Sequence, residues 1–209
     1  MPEPLSSTHT LTMFPSDADA TWSLRFFFAT LLMAVLTIPY LMIEERQTKT
    51  MDALLVSPVS AGQLIIGKAI AGMFFVLLGG GVYFALNWAY IINWGLAVLA
   101  FILSSVFSIG LALVLGTFIQ SGQKLMVWNV PVIFLLIIPA FFAQEPFLVP
   151  TLRTVFSLVP STAITEILHY AYSRSAIISS LLTDLGIALV CIIFLYGLVI
   201  WKIRRSDRS

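Results

Sequence analysis

Long apolar segments alternate with short polar ones along the chain, and five of the apolar segments are long enough to cross a bilayer. A membrane-crossing helix needs roughly 20 consecutive, mainly apolar residues. The pattern therefore predicts an all-α fold, that of a polytopic helical membrane protein with about five transmembrane helices. We name these spans A to E; they cover residues 23–43, 64–92, 94–119, 125–143 and 177–201.

Two polar regions flank or interrupt the spans. Residues 1–22 hold no Lys or Arg and no apolar core, so they do not have the pattern of a signal peptide. We predict that they form an irregular external tail. The tail precedes a single transmembrane domain, residues 23–209. Between spans D and E, residues 147–159 are too few to cross and predict a re-entrant or interfacial helix. Ser161 is a candidate N-cap for a second short helix, which we expect on the outer surface and ending at Tyr172.

Span C carries a small residue at every fourth position of one helix face. Such a stripe lets a neighbouring backbone approach closely within a membrane, so helix packing is favoured over any catalytic role for its serines. In span B, the triplet at residues 79–81 predicts a kink or a close helix contact. The stripe consists of Ala100, Ser104, Ser108, Ala112 and Gly116.

Composition supports a membrane protein, because 59% of the residues are apolar and only 10% are charged. A soluble domain carries roughly 25% charged residues. The net charge of +1 gives no indication of a nucleic-acid partner, and the lipid bilayer is the main solvent. The single cysteine, Cys191, lies inside an apolar segment and excludes a disulfide framework; we expect it to pack as a small apolar residue.

The placement of basic residues predicts the orientation, since cytoplasmic loops are enriched in Lys and Arg. Eight basic residues fall on the side of the loop between spans A and B, and three fall on the other side. We therefore expect the N-terminus outside and the C-terminus in the cytoplasm, in the cell membrane. The eight are Arg46, Lys49, Lys68, Lys124, Lys202, Arg204, Arg205 and Arg208; the three are Arg25, Arg153 and Arg174.

We expect neither ion coupling nor catalysis by side chains within the membrane. An ion-coupled transporter carries ionisable residues in its spans, and we expect none in the interiors of spans C, D and E or in span B beyond Lys68. The histidines, His9 and His169, lie in the tail and the outer segment, and we find no HExxH, paired-carboxylate or phosphate-loop motif. A partner must therefore power any transport by this chain.

An isolated charge cluster lies in the loop between spans A and B. Glu45, Lys49 and Asp52 share one face of a possible helix. An apolar patch formed by Met51, Leu54 and Leu55 lies on another side. These positions predict a short amphipathic helix.

The proline at position 58 disfavours helical geometry at Ser57, so this helix should end in a tight Ser57-Pro58 turn. Ser60 with Gln63 has the pattern of a capping box that starts span B. Spacing alone does not establish a function for the loop, and a solvated connector is the simpler interpretation.

The same loop resembles a known pattern, E-R-x-x-x-T-x-x-x-L-L-x-[ST]-P-x-S followed by G-K. It matches Glu45-Arg46, Thr50, Leu54-Leu55, Ser57 to Ser60, and Gly67-Lys68. The pattern is found in type-2 permeases of ATP-binding-cassette exporters, where the segment is a coupling helix that contacts the nucleotide-binding subunit. The paired short helices before span E also resemble that family.

The resemblance implies a permease subunit that moves a cargo outward, with a separate ATPase and a second permease subunit as partners. ATP and magnesium would bind to the ATPase, and this chain would bind no cofactor. The cargo is unidentified; within the family the chain looks most like permeases of multidrug efflux. The implied ATPase contacts are Glu44, Glu45, Arg46, Lys49 and Thr50, the apolar knob Met51, Leu54 and Leu55, and the turn Ser57-Pro58.

The chain departs from the family in two respects. Lys49 stands where the family often has Gly, and the usual first span of six is missing, so five spans are expected. A shortened subunit, a gene start placed too late, or a span supplied by another chain would each explain this.

Two other functions remain open. A non-transporting anchoring subunit would recruit no ATPase. A membrane enzyme acting at the outer face through Glu166, His169 and Arg174 would lose function on substitution of His169 and would not need ATP.

The orientation can be tested by labelling single cysteines in a Cys191→Ser background. Cysteines at Ser7 and Ser173 should react with an impermeant reagent added to intact cells, because both positions are predicted outside. A cysteine at Ser206 should not react, and labelling there from outside would reverse the orientation and remove the loop from the cytoplasm.

Overall fold

The computed structural model describes residues 16–47, 61–119, 121–143, 149–172 and 178–206. Within these ranges the protein is all-helical and contains no strand, which confirms the predicted fold class. The helices are α1 (Ser16–Gln47), α2 (Ala61–Leu86), α3 (Trp94–Phe118), α4 (Gly122–Phe142), α5 (Pro150–Ser157), α6 (Pro160–Tyr172) and α7 (Ile178–Ser206), with a 3-10 turn at Trp88–Tyr90.

Five of the described helices are long and apolar enough to cross a membrane, as the hydropathy pattern predicted. They are α1, α2, α3, α4 and α7, and they correspond in order to spans A to E. The candidate spans are Trp22–Glu44, Gly67–Leu86, Trp94–Phe118, Gly122–Phe142 and Ser180–Arg205.

Helix α2 ends six residues before the predicted end of span B because Asn87 closes it. The Asn87 side-chain amide donates a hydrogen bond to the Tyr83 carbonyl oxygen at 2.8 Å. The Asn87 backbone N–H lies 3.2 Å from the same oxygen. The 3-10 turn that follows carries the chain to the start of α3 at Trp94.

Helix α1 begins earlier than predicted. Residues 16–22 were assigned to an irregular tail, and the structure shows them as the first turns of α1, so that assignment was wrong for these residues. The sequence holds no Pro or Gly from Ser16 until Pro39, and these residues therefore extend a helix that the apolar segment requires.

Helices α1 and α3 form the centre of the bundle. Helix α1 packs against α2, α3, α4 and α6, and α3 packs against α1, α2, α6 and α7. The α1 side chains Phe27, Leu31 and Val35 are fully buried between these helices. By contrast, α2, α4 and α7 expose large apolar side chains along their length, as expected for surfaces that face lipid.

The small-residue stripe of α3 lies buried in this centre. All five of its members, Ala100, Ser104, Ser108, Ala112 and Gly116, are buried. The Ser104 and Thr30 hydroxyls form a hydrogen bond of 2.6 Å between α3 and α1. Near the other end, a Cβ atom added at Gly116 would lie 3.1 Å from the Pro39 Cα atom. The backbones of α1 and α3 therefore approach closely along the stripe.

The glycine triplet of α2 makes a close helix contact of the same kind. A Cβ atom at Gly80 would lie 2.8 Å from the Phe101 ring and 2.9 Å from the Thr30 methyl group. One at Gly79 would lie 2.6 Å from the Met33 side chain, whereas Gly81 has open space. Two of the three glycines thus let α2 reach α1 and α3.

Substitution of Gly116 by Ala should destabilise the bundle. The new methyl group would meet the α1 backbone at Pro39 and the Met42 sulfur atom at 2.6 Å, and overpacking of this kind costs about 1–3 kcal/mol. We expect a lower midpoint temperature of thermal unfolding in detergent. Gly95→Ala on the same helix is the control, because a Cβ atom there meets nothing within 4 Å. Equal midpoints for both variants would contradict close packing at Gly116.

Candidate functional site: the interhelical loop and helix α6

The first residues of the predicted coupling segment continue helix α1. Glu44 is exposed, and Glu45 and Arg46 belong to the last turn of α1, which ends at Gln47. Helix α2 begins at Ala61. The remaining predicted contacts lie outside the described residues, so the coupling helix stays a prediction. These contacts are Lys49, Thr50, Met51, Leu54, Leu55, Ser57 and Pro58.

The loop is attached to the packed centre through the C-terminal end of α1. Three buried residues of the main apolar core lie within two helical turns of Glu44. They are Ile38, Met42 and Ile43. Met42 also lies against the α3 position Gly116. The C-terminal end of α1, which leads into the loop, therefore belongs to the close α1–α3 contact.

Helix α6 is enclosed by the bundle. It packs against α1, α3, α4 and α7, so the second short helix is present and lies among the spans; the side of the membrane on which it lies stays a prediction. Most of its residues are buried, with the apolar side chains on one side of the helix and the small hydroxyl side chains on another, and Glu166, His169 and Tyr170 are half-buried. Thr165 satisfies its hydroxyl inside the helix by donating to the Ser161 carbonyl oxygen at 3.0 Å, which makes burial of this polar residue tolerable.

The C-terminal end of α6 is tied to the turn between α2 and α3. The backbone N–H groups of Ile92 and Asn93 donate to the Ala171 carbonyl oxygen at 3.0 Å and 2.9 Å. The Asn93 side-chain amide donates to the Tyr170 carbonyl oxygen at 3.1 Å. These bonds satisfy carbonyl groups that the helix end leaves free, and they anchor α6 at one end of the bundle.

Helix α5 lies outside the bundle, and nearly all its residues are exposed. The predicted short helix is therefore present, although it covers Pro150–Ser157 rather than residues 147–159. Together with the end of α4 and one face of α6, it encloses an open cavity of about 380 Å³. The cavity is lined by Ala143, Pro150, Arg153, Thr154, Ser157 and Glu166.

Two carboxyl groups meet where α6 packs against α7. Glu166 of α6 forms a side-chain hydrogen bond with Asp184 of α7. Asp184 is only 6% exposed, and it lies within the span Ser180–Arg205. The expectation that span E holds no ionisable residue was therefore wrong. The sequence shows Asp184 as an acidic residue within an apolar segment, and an ionisable residue in a span usually indicates a functional site. Only the tertiary structure pairs it with Glu166.

The environment of Glu166 favours its protonated form. Burial, followed by the neighbouring Asp184 carboxyl, raises the pKa of Glu166 to about 7, against the opposing charge of Arg153. Two carboxyl groups can share a hydrogen bond only if one of them carries a proton. In its protonated form, Glu166 can therefore bond to Asp184 and link α6 to α7.

One comparison with known proteins identifies the family. The family model for ABC-2 family transporter proteins matches residues 7–201, nearly the whole chain. The chain belongs to this family. No curated protein matches it. The protein is thus the membrane permease subunit of an ABC transporter, a multi-pass transport subunit of a family that works with an ABC ATPase.

The outer-face enzyme hypothesis receives no support from the geometry of this ABC-2 permease. Glu166 and His169 lie one turn apart on α6, where Glu166 is bonded to Asp184, and Arg174 falls outside the described residues. In the described parts of the chain, no group of three or more His, Cys, Asp or Glu residues could hold a metal ion. Family membership instead indicates a transport subunit that is not itself catalytic.

The carboxyl pair should make the stability of the ABC-2 permease depend on pH. Because the folded-state pKa of Glu166 is raised from 4.5 to about 7, the proton stabilises the fold fully below pH 4.5. That stabilisation should be lost as the pH rises through 7. The midpoint of thermal unfolding in detergent should therefore fall over this range in the wild type and change less in Glu166→Gln.

Two further variants control this experiment. Asp184→Asn removes the acidic neighbour of Glu166 and should move the transition to lower pH, since burial alone then raises the pKa. Gly95→Ala adds a methyl group at an open position and changes no carboxyl group, so it should keep the wild-type profile. Parallel pH profiles for wild type and Glu166→Gln would show that the pair shares no titrating proton.

Proposed function

We propose that this permease subunit belongs to an exporter, and that a separate ATP-binding-cassette ATPase drives it through the loop at residues 44–60. The observation that carries the proposal is the continuity of α1, which runs without a break from the bundle centre to Gln47 at the start of this loop. The family match and the pattern from Glu45 to Ser60 support the same assignment.

The packing of α1 supports a mechanism. ATP-driven closure of the ATPase subunits would displace the loop, and α1 would transmit the displacement because its inner end is packed against α3. The hydrogen bond between Thr30 and Ser104 and the contact at Gly116 join α1 to α3. Helix α6 touches both, so an inner movement would also reach the opposite end of the bundle. Interfaces packed this tightly move between discrete arrangements rather than deform continuously.

The remaining assignments follow from the same proposal. A second permease subunit, identical or different, would complete the transport path, and ATP with magnesium would bind only to the ATPases. The N-terminus would lie outside and the C-terminus in the cytoplasm, with the loop facing the ATPase. Spans that are almost wholly apolar suit a lipophilic or drug-like cargo.

Reversal of charge at Arg46 should uncouple ATP hydrolysis from transport. Arg46 is the basic residue at the end of α1 nearest the loop, and we expect it to pair with an acidic group of the ATPase. Loss of one member of a buried interfacial charge pair costs roughly 2–5 kcal/mol. Arg46→Glu should therefore weaken ATPase binding, and Leu54→Asp should do the same by removing the apolar knob. Transport and cargo-stimulated ATP hydrolysis in reconstituted vesicles measure both effects.

Conservative variants at the same positions provide the controls. Arg46→Lys keeps the charge and Leu54→Met keeps an apolar side chain of similar volume, so both should retain most coupling. All four variants should insert normally, since the loop lies outside the spans. If Arg46→Glu and Leu54→Asp both keep full coupled transport, the loop is only a solvated connector between the spans. Failure of the purified chain to recruit any ATPase would favour the anchoring subunit instead.

A further inference from the structure

Helix α7 presents an apolar face outward. It is the least buried of the five candidate spans. Val190, Ile193 and Phe194 are 67%, 70% and 63% exposed, and they share one face through spacings of three and four residues. Such an apolar face is suited to contact with acyl chains in a bilayer.

A groove interrupts this face near the C-terminal end of α7. Gly197 continues the face, and a Cβ atom added there would meet nothing within 4 Å. A depression of about 620 Å³ begins at this gap. Its described lining residues are Gly197, Ile200, Trp201, Arg204 and Arg205, all from α7 and all on one side of the helix. The groove therefore leads from the acyl-chain face to two guanidinium groups.

The polar end of the groove is cationic and aromatic. The Arg205 guanidinium carbon lies 5.6 Å from the Trp201 ring centroid. Lys202 adds a third cation beside the groove, with its Nζ atom 5.6 Å from the Phe118 ring centroid. None of the described lining residues of the groove is acidic. Both arginine side chains are exposed.

We propose that this groove binds an anionic phospholipid, with its phosphate at Arg204 and Arg205 and one acyl chain in the gap above Gly197. Guanidinium groups bind phosphate oxygens through paired, charge-assisted hydrogen bonds. Trp is enriched at the level of the headgroups, which is where Trp201 then lies. Clusters of Lys and Arg immediately beyond a span attract anionic lipid. The proposal does not depend on the loop at residues 44–60 or on the transported cargo.

The shape of the site distinguishes a lipid from a soluble anion. A free phosphate would contact only the guanidinium groups and would leave the gap at Gly197 empty. A phospholipid would occupy both parts, because Gly197, which lines the groove, shares a helix face with Ile193 and Phe194. The position of the arginine pair at the end of the candidate span also matches the depth of a headgroup.

Trp201 provides a direct test. The full chain, purified with any ATPase that accompanies it, is reconstituted into vesicles of phosphatidylcholine and phosphatidylglycerol in which one lipid carries brominated acyl chains. Bromine quenches tryptophan fluorescence on contact, and the difference from Trp201→Phe isolates one of the five tryptophans. Brominated phosphatidylglycerol should be enriched at Trp201 roughly thirtyfold over brominated phosphatidylcholine at equal mole fraction, as two basic residues near a headgroup predict.

Paired variants separate the charge from the groove. Arg204→Gln with Arg205→Gln should abolish the preference for phosphatidylglycerol. Gly197→Leu should fill the gap and reduce the preference with both arginines present. Gly186→Leu, on the same helix and equally open, should leave it unchanged. These side chains are exposed, so the substitutions do not alter the packed core.

Three results would overturn the proposal. The first is equal quenching by the two brominated lipids, or a preference that survives the double glutamine variant. The second is a preference abolished by added inorganic phosphate, which would indicate a site for a soluble anion. The third is quenching of Trp201 only after the ATPase is removed, which would show that protein covers the groove.

Discussion

The close contact between α1 and α3 is the interaction on which the rest of this structure depends. Helices within a bilayer gain little from the hydrophobic effect when they associate, because lipid is as apolar as their side chains, so they depend on close packing and interhelical hydrogen bonds. The α3 stripe supplies both, through Gly116 beside the α1 backbone and Ser104 bonded to Thr30. The other spans then pack around this pair and leave their outer faces to lipid.

Helix α6 fits the space that this central pair leaves towards one end of the bundle. It meets four spanning helices, and its hydrogen bonds to Ile92 and Asn93 fix its end against the turn after α2. The carboxyl pair Glu166–Asp184 adds a polar contact between α6 and α7. Because this contact needs a proton, the attachment of α6 to α7 is expected to weaken as the pH rises.

Helix α1 connects the two ends of the protein. Its C-terminal turns hold Glu44 at the edge of the loop, and its buried residues contact α3 and α6 farther along. Under the proposed function, this continuous helix is the element that joins the loop to the packed centre. The outward faces of the remaining spans instead define what the bundle can contact in the membrane.

Hydropathy determined the number, order and approximate bounds of the spans, because the bilayer imposes a length and an apolar composition that are local properties of the chain. The spacing of Ala100 to Gly116 likewise indicated a packing face, since small residues four apart always share one side of a helix. The burial of α6 and the pairing of Glu166 with Asp184 were decided only by the tertiary structure. Each depends on which helices surround a residue, and neither helical periodicity nor composition specifies neighbours that are distant along the chain.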